Sequence, residues 1–390
     1  MRPRLLRWLC CPSCQGSLTL AVSRERPELN APPPTEHRFW TATDGGQRQV
    51  EWDESWAREI VEGSLSCACG AGYPIRAGVP RMLPDLAERA AGGQSASAVP
   101  AANGTSAGSA RTRECYAYLW RFKAERIGWQ HKPDHERNLF LRNMSVVAGE
   151  LGGRTLLDAG CGDGRFTASL AELGLETIGI DLSEGVEVGA GNTRDPLVHY
   201  VQGDLLHPPF RRASFDYVWS FGVLHHTPDP RRAFSECAAL LSPGGRLFVW
   251  LYDGAPKGRS ALIRLSQRAP LPVKRLVSRV LELGNRFKRA LGGGNSVTTE
   301  QTTDEVYFWN LDMYGPEHRY LQSSADVRRW FDGLGFSNVT PRERMEFGFG
   351  MTGDLPPQPP PHAAVVALAS VRRTRSATSG GVSGTVGSKF

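Results

Sequence analysis

The chain has 390 residues, 40% apolar and 22% charged, with a formal net charge of +6. That composition is ordinary for a soluble protein with room for two or three domains around substantial cores. No apolar run approaches the roughly 20 residues of a membrane span, and only six of the 46 basic residues are lysine. Arginine dominance beside abundant Ala, Gly and Pro points to coding bias, so the charge is poor evidence for nucleic-acid binding.

The start is basic but interrupted by Arg7 and lacks the apolar stretch of a signal peptide, so a cytoplasmic location with reduced thiols is expected. Residues 1–84 form one compositional unit with two cysteine pairs, Cys11-Pro-Ser-Cys14 and Cys67-Ala-Cys69. Two thiolate pairs on turns make a tetrahedral structural zinc site. The second pair is one residue short, which leaves two alternatives open: Cys10 in place of Cys11, or a ribbon without metal. The insert over 23–60 has no reading. Residues 85–112, small and polar above all over 90–110, are expected to form a flexible linker. An aromatic-rich segment over 114–148 follows.

From 154 onward strands and helices alternate. Strands are predicted at 154–158, 176–181, 197–201, 215–220 and 245–252, and helices at 164–173, 184–191 and 230–241. Alternation of this kind predicts a parallel, doubly wound sheet. Leu-Ser-Pro-Gly-Gly at 241–245 reads as the turn before a central strand. Residues 257–292 are basic and amphipathic. They read either as a lid over an active site or as a helix lying on an anionic membrane or gripping an acidic substrate. A helix over 323–334 capped by Ser323 or Ser324, a strand at 337–341 and a last strand at 363–371 complete a domain spanning 113–372, with 257–310 as its insert. The tail, 373–390, has the composition of disorder.

The most telling stretch is Thr155-Leu-Leu-Asp-Ala-Gly-Cys-Gly-Asp-Gly164. An apolar run, an acid, a glycine turn and a helix start form a nucleotide-type ligand cradle. The spacing is G-x-G-x-G, tighter than in dinucleotide sites. With Asp158 at the strand end it suits a cationic, phosphate-free ligand, and S-adenosylmethionine has that character. Asp181 closes the second strand, Asp204 follows the third, and a fourth strand runs from Ser214 through Ser220 and Phe221 to His225 and His226.

Leu-Asp-Ala-Gly-Cys-Gly-Asp-Gly, Gly-Ile-Asp-Leu-Ser, Gly-Asp-Leu-Leu-His-Pro-Pro-Phe, Phe-Asp-Tyr-Val and Leu-His-His-Thr-Pro-Asp-Pro, in that order, resemble the class I S-adenosylmethionine-dependent methyltransferases. The small-molecule branch with menaquinone and ubiquinone enzymes is the nearest in pattern. The resemblance implies an α/β fold with a Rossmann-like seven-stranded doubly wound sheet. It implies that Asp158 and the backbone at Gly160 and Gly162 hold the methionine moiety, that Asp181 with Leu182 holds the ribose, and that Asp204 with Leu205 holds the adenine edge. The Ser220–Phe221 backbone would lie near the sulfonium. Asp163 reads equally as a ligand contact or a helix N-cap, and Cys161 reads as a packing residue. Tyr116-Ala-Tyr118-Leu-Trp120 resembles an aromatic element that precedes this fold, so Tyr118 and Trp120 are expected as a lid over the cofactor or, alternatively, as an aromatic face packed on the sheet.

His226, and secondarily His225, are the candidate bases, since methyl transfer needs one only for an acidic acceptor. Tyr314, His318 and Arg319 could orient that acceptor. No Asn-Pro-Pro-Tyr, Asp-Pro-Pro-Tyr or Pro-Cys follows the fourth strand, and no lysine lies between 151 and 256. A small-molecule or lipid-linked acceptor in a biosynthetic pathway is therefore expected. An RNA or protein methyltransferase and a non-catalytic scaffold are the alternatives. Cys69-Gly-Ala-Gly-Tyr-Pro-Ile and Gly78-Val-Pro resemble the zinc ribbon of the small activator protein of tRNA and release-factor methyltransferases. That resemblance implies a small N-terminal zinc-ribbon domain with Cys11, Cys14, Cys67 and Cys69 as ligands.

Overall fold

A computed structural model describes residues 1–27, 58–89, 107–254, 267–290, 302–345 and 347–357. The N-terminal part contributes β1 (Leu18–Pro27), β2 (Arg58–Cys67), β3 (Ala71–Arg76), β4 (Val79–Met82) and the short β5 (Glu88–Arg89). Helices α1 (Ala107–Arg126) and α2 (Pro133–Met144) lead into β6 (Thr155–Ala159), α3 (Arg165–Ala171), β7 (Glu176–Asp181), α4 (Gly185–Asn192), β8 (Val198–Gly203), β9 (Phe215–Phe221), α5 (Pro230–Leu240) and β10 (Leu241–Tyr252). The C-terminal part supplies α6 (Leu271–Ala290), α7 (Thr303–Tyr314), α8 (Ser324–Gly333), β11 (Ser337–Met345) and β12 (Gly348–Asp354).

The core strands run in the order β8-β7-β6-β9-β10-β12-β11, and all point the same way except β12, which is antiparallel to both its neighbours. This is the expected Rossmann-like seven-stranded sheet. Central strands such as β8 are buried along their whole length, as parallel strands covered on both faces must be. Period-two alternation sorts side chains between the faces. Leu156, Trp219 and Phe248 join Phe140 of α2 in one cluster, while Leu157 and Val218 join Phe234 of α5 and Phe331 of α8 in another. Asp229 caps α5 through the Arg232 amide, and Ser323 caps α8 through the Asp326 amide.

The strand expected at 363–371 lies outside the described residues, and the last strand among the described residues is β12, which no expectation covered. Its glycines disguise it: a β-carbon at Gly350 would come within 2.8 Å of Phe248, and one at Gly353 within 2.8 Å of Phe331, so bare backbone is needed for those rings to pack. The 241–245 turn sits inside β10 as a break in its pairing with β9 between Leu241 and Arg246. Within 85–112, β5 pairs with β3 and α1 begins at Ala107, so order starts before the expected linker ends.

The N-terminal unit does not stand apart. Strand β4 pairs in parallel with β8, Arg81 opposite Gln202 and Met82 opposite Gly203, so the ribbon strands extend the core sheet. The Cys10 amide donates to Pro209 O at 3.0 Å, and the Arg211 amide to Trp8 O at 2.8 Å. Arg4 grips Glu176 through both oxygens, at 2.5 and 2.8 Å, and His199 reaches the same carboxylate at 3.2 Å. All three side chains are buried. Burial raises the Glu176 pKa, but the hydrogen bonds from His199 and Arg4 outweigh it and hold the carboxyl below its ordinary range.

Glu176→Ala strands a buried guanidinium and should cost about 3–5 kcal/mol in denaturant unfolding at neutral pH. Because the folded pKa is depressed, the wild-type advantage should be complete above the ordinary carboxylate range and should fade as the pH falls below it. A loss under about 1 kcal/mol would show that the pair does not hold the ribbon to the core.

Candidate functional site

The glycine loop joins β6 to α3 at the carboxyl edge of the sheet, where open α/β sheets bind ligands. Gly160, Gly162 and Gly164 have φ of 91°, 56° and 77°, the left-handed region that favours glycine. Space is a second constraint. A β-carbon at Gly160 would lie 2.3 Å from Val223, one at Gly162 2.5 Å from Trp120, and one at Gly164 2.5 Å from the Tyr200 hydroxyl.

Two acids frame the loop, Asp158 buried and Asp181 half-buried. Asp158 accepts from Thr167 Oγ1 at 2.7 Å, and burial pushes its carboxyl up to about 7 against the pull of that bond. Asp181, at the end of β7, accepts from the Gly162 amide at 3.0 Å and from the Ser183 amide and hydroxyl at 2.8 and 2.7 Å. Burial raises its pKa too. Leu182 O accepts from Gln202 Nε2 at 3.1 Å. Asp204 accepts from the Leu206 amide at 2.8 Å beside buried Leu205. Ser220 Oγ donates to Ala159 O at 3.1 Å, and Phe221 stacks on Trp250 with centroids 5.2 Å apart. Asp158 thus lies in β6, Asp181 ends β7 and Asp204 follows β8, three strands that are neighbours in the sheet, and Asp181 also holds the loop at Gly162.

Other expected residues take different places. Asp163 does not cap α3, whose N-cap is Gly164. Its carboxylate instead takes the Lys123 ammonium at 2.6 Å, and its carbonyl takes Trp129 Nε1 at 3.1 Å, so it anchors α1 to the loop. Trp120 lies on the backbone of Gly162 and Gly185, as a lid over the loop would. Tyr118 points the other way, its hydroxyl 3.3 Å from that of Tyr307 on α7 and Arg275 of α6 4.5 Å above its ring. Tyr116, four residues before Trp120, faces the site in its stead, 5.7 Å edge-on to His226.

His225 and His226 sit in a short turn after β9. The His226 Nδ1 lies 2.9 Å from His318 O, so Nδ1 carries the proton and Nε2 keeps its lone pair. Burial drives the His226 pKa down to about 4 and that of His225 well below its ordinary value, so both rings are neutral at pH 7. His225 is fully buried, with neither ring nitrogen hydrogen-bonded, and lies 4.0 Å from the Tyr252 ring and 6.2 Å from Trp250. Above Tyr252 stands the Arg319 guanidinium, at 5.0 Å. Burial raises the Asp312 carboxyl to about 6, opposed by hydrogen bonds from Tyr116 and Tyr252 and the charge of Arg319. Sequence reasoning missed Tyr116, Tyr252 and Asp312. The i, i+4 spacing of Tyr116 and Trp120 was a usable signal, whereas Asp312 had none.

At the ribbon, the sulfurs of Cys11, Cys14, Cys67 and Cys69 all lie within 4.8 Å of one another, with Cys11–Cys69 at 3.7 Å and Cys14–Cys67 at 3.4 Å. Cys10 turns away to Gln15 Oε1 at 3.2 Å, so Cys11 is the residue that enters the cluster. Gly16 leaves room for the sulfurs, since a β-carbon there would lie 3.2 Å from Cys14 Sγ and 3.3 Å from Cys67 Sγ. Four convergent thiols fit a tetrahedral soft-metal site despite the shortened second pair.

Residues 157–249 match the family described as a methyltransferase domain. A ubiquinone biosynthesis O-methyltransferase of Bordetella avium is 33% identical over 157 residues, 36% of this chain and 63% of the relative. An uncharacterised Synechococcus protein is 28% identical over 221 residues, 51% of each chain. The chain therefore spans between half and two thirds of the length of these curated relatives. Among solved structures, the magnesium protoporphyrin IX methyltransferase of Synechocystis PCC 6803 with bound SAH aligns at a TM-score of 0.37 and 18% identity, over 62% of this chain and 97% of that one.

Asp158 has a folded pKa of about 7, above the ordinary carboxylate value. The unfolded chain therefore releases this proton first, and the residue costs the fold stability as pH rises from about 4 to 7. Asp158→Asn should be more stable than wild type by at least about 1 kcal/mol at pH 8 and indistinguishable from it near pH 4. Equal stability at both pH values would contradict the assignment of a buried, proton-holding acid.

Proposed function

We propose that this chain is an S-adenosylmethionine-dependent methyltransferase acting on a small-molecule acceptor, with lipid-linked molecules as the finer class. The observation that carries the reading is the glycine loop set between Asp158 of β6 and Asp181 of β7, with the turn that bears the neutral His226 imidazole, its Nε2 free to accept a proton, packed on Gly160 through Val223. The family match over 157–249 supports it.

Bound at this edge, S-adenosylmethionine supplies a methyl carbon already activated by a sulfonium. Asp181 and Leu182 would hold the ribose, and Asp204 with Leu205 the adenine edge. The Gly160 and Gly162 backbone with Asp158 would hold the methionine end. An ammonium brought beside Asp158 favours its ionised form and offsets the cost of its burial. The Ser220–Phe221 backbone and the faces of Trp120 and Tyr116 give desolvated, electron-rich surroundings to a cation. His226 Nε2 would take the proton of an acceptor hydroxyl as the methyl arrives, and His318 O keeps that imidazole in the right tautomer. Tyr252 and Arg319 lie beside His225 and His226 and would orient the acceptor. Cys11, Cys14, Cys67 and Cys69 would hold zinc, whose closed coordination cross-links the ribbon and does no chemistry.

Calorimetric titration with S-adenosylmethionine should show saturable binding. Asp181→Ala should weaken it at least about tenfold while leaving the fold intact, since the ribose contacts are charge-assisted. His226→Asn should bind the donor as wild type does and lose about 10²–10⁴-fold in kcat with a hydroxylated aromatic acceptor. With the His226 pKa near 4, wild-type turnover should show no acid limb from this group above about pH 5. Absence of binding heat from the wild-type protein would overturn the proposal.

Metal analysis of the purified chain should find about one zinc per molecule, lost in Cys14→Ser. Because the Cys10 and Arg211 amides bridge ribbon and core, metal loss should raise hydrogen exchange at 10–15 and 207–211 together. A metal-free protein whose exchange is the same in the two forms would refute the zinc assignment.

A further inference from the structure

Helix α6 carries its large apolar side chains outward. Val273, Leu276, Val280, Leu283 and Phe287 are 43–67% exposed, and at 100° per residue they fall within an arc of about 80°. The opposite side is spent on packing: Lys274, Ser278 and Glu282 are buried, and α6 lies against α7 and α1. Arg275, Arg279 and Arg286 line one flank of the apolar stripe within about 40°. Arg279 is held over the Tyr307 ring at 3.9 Å and Arg275 over the Tyr118 ring at 4.5 Å, and Arg275 and Arg286 are still exposed. The helix's single acid, Glu282, faces inward with Arg286 at 3.9 Å. The outer face therefore presents aliphatic and aromatic side chains edged on one flank by arginines. Across 257–292 ten basic residues accompany that one acid.

We infer that α6 is a membrane-contact helix, lying in the plane of an anionic lipid surface with Val273, Leu276, Val280, Leu283 and Phe287 among the acyl chains and Arg275 and Arg286 on the phosphates. The charge decides the occupant. Apolar burial of five side chains without cations would suit any hydrophobic partner, but a flank of arginines beside them needs a surface both oily and negative, and anionic lipid is both. A second copy docked antiparallel would set the two arginine rows side by side, and a nucleic acid would leave the apolar stripe wet. The inference is independent of the methyltransferase reading. If both hold, the helix would bring the site at His226 to a bilayer and would favour acceptors with lipid tails.

The test is co-sedimentation of the full chain with phosphatidylcholine vesicles, with and without about 30% phosphatidylglycerol. Binding should appear with the anionic vesicles and fall at least about tenfold with pure phosphatidylcholine and on raising the salt. Leu276→Glu with Leu283→Glu should abolish it, and Arg275→Gln with Arg286→Gln should weaken it at least about tenfold. Both variants should stay folded and keep wild-type affinity for S-adenosylmethionine. No sedimentation of the wild type with anionic vesicles overturns the inference, as does equal binding by the folded variants. A dimer in ultracentrifugation that the glutamate variant dissolves, without vesicle binding, overturns it in favour of a second copy.

Discussion

At Gly160, Gly162 and Gly164 the volume a β-carbon would need is taken by Val223, Trp120 and Tyr200, which come from three different parts of the chain. The loop is thus a keyed surface as well as a flexible turn. Val223 brings the His225–His226 turn against the first glycine, Trp120 fixes α1 on the second, and Tyr200 sets β8 under the third, its hydroxyl donating to Gly164 O at 3.1 Å. Lys123 and Asp163 secure the same docking by charge. The site depends on this mutual fit, because each functional group hangs on an element that the loop itself locates.

Electrostatically the site is dominated by desolvation. Asp158 and Asp181 are raised by burial while the two histidines are lowered by it, so desolvation pushes acids and bases alike toward neutrality. A positively charged ligand reverses that balance at the acids and leaves the imidazoles unprotonated. The fold gives up stability at Asp158 to keep this arrangement, the pattern expected where function and stability compete.

Much of this was legible from local signals. Strands β6 to β9 and the loop follow from short apolar runs, each closed by an acid or glycine, and those features need no long-range information. The lid was half legible. Helical geometry puts Tyr116 and Trp120 on one face and Tyr118 on the other, so motif likeness pointed to the wrong tyrosine. Asp312, Tyr252 and Arg319 meet only because α7, β10 and the segment after α7 converge, and no spacing in the sequence reports that. Strand β12 hid behind glycines that serve packing from Phe248 and Phe331. The ribbon reads as separate by composition, yet Arg4 and Glu176 show that a long-range buried pair can join what composition divides.

The pairing of β4 with β8 has a consequence for biogenesis. During synthesis the ribbon strands leave the ribosome more than a hundred residues before the strand that flanks them, since β4 spans Val79–Met82 and β8 spans Val198–Gly203. Until then β4 offers a bare hydrogen-bonding rim, a template for mispairing with neighbouring nascent chains. Closing so distant a contact is slow, so the interval between the two strands is the period in which this polypeptide most needs a chaperone's shelter.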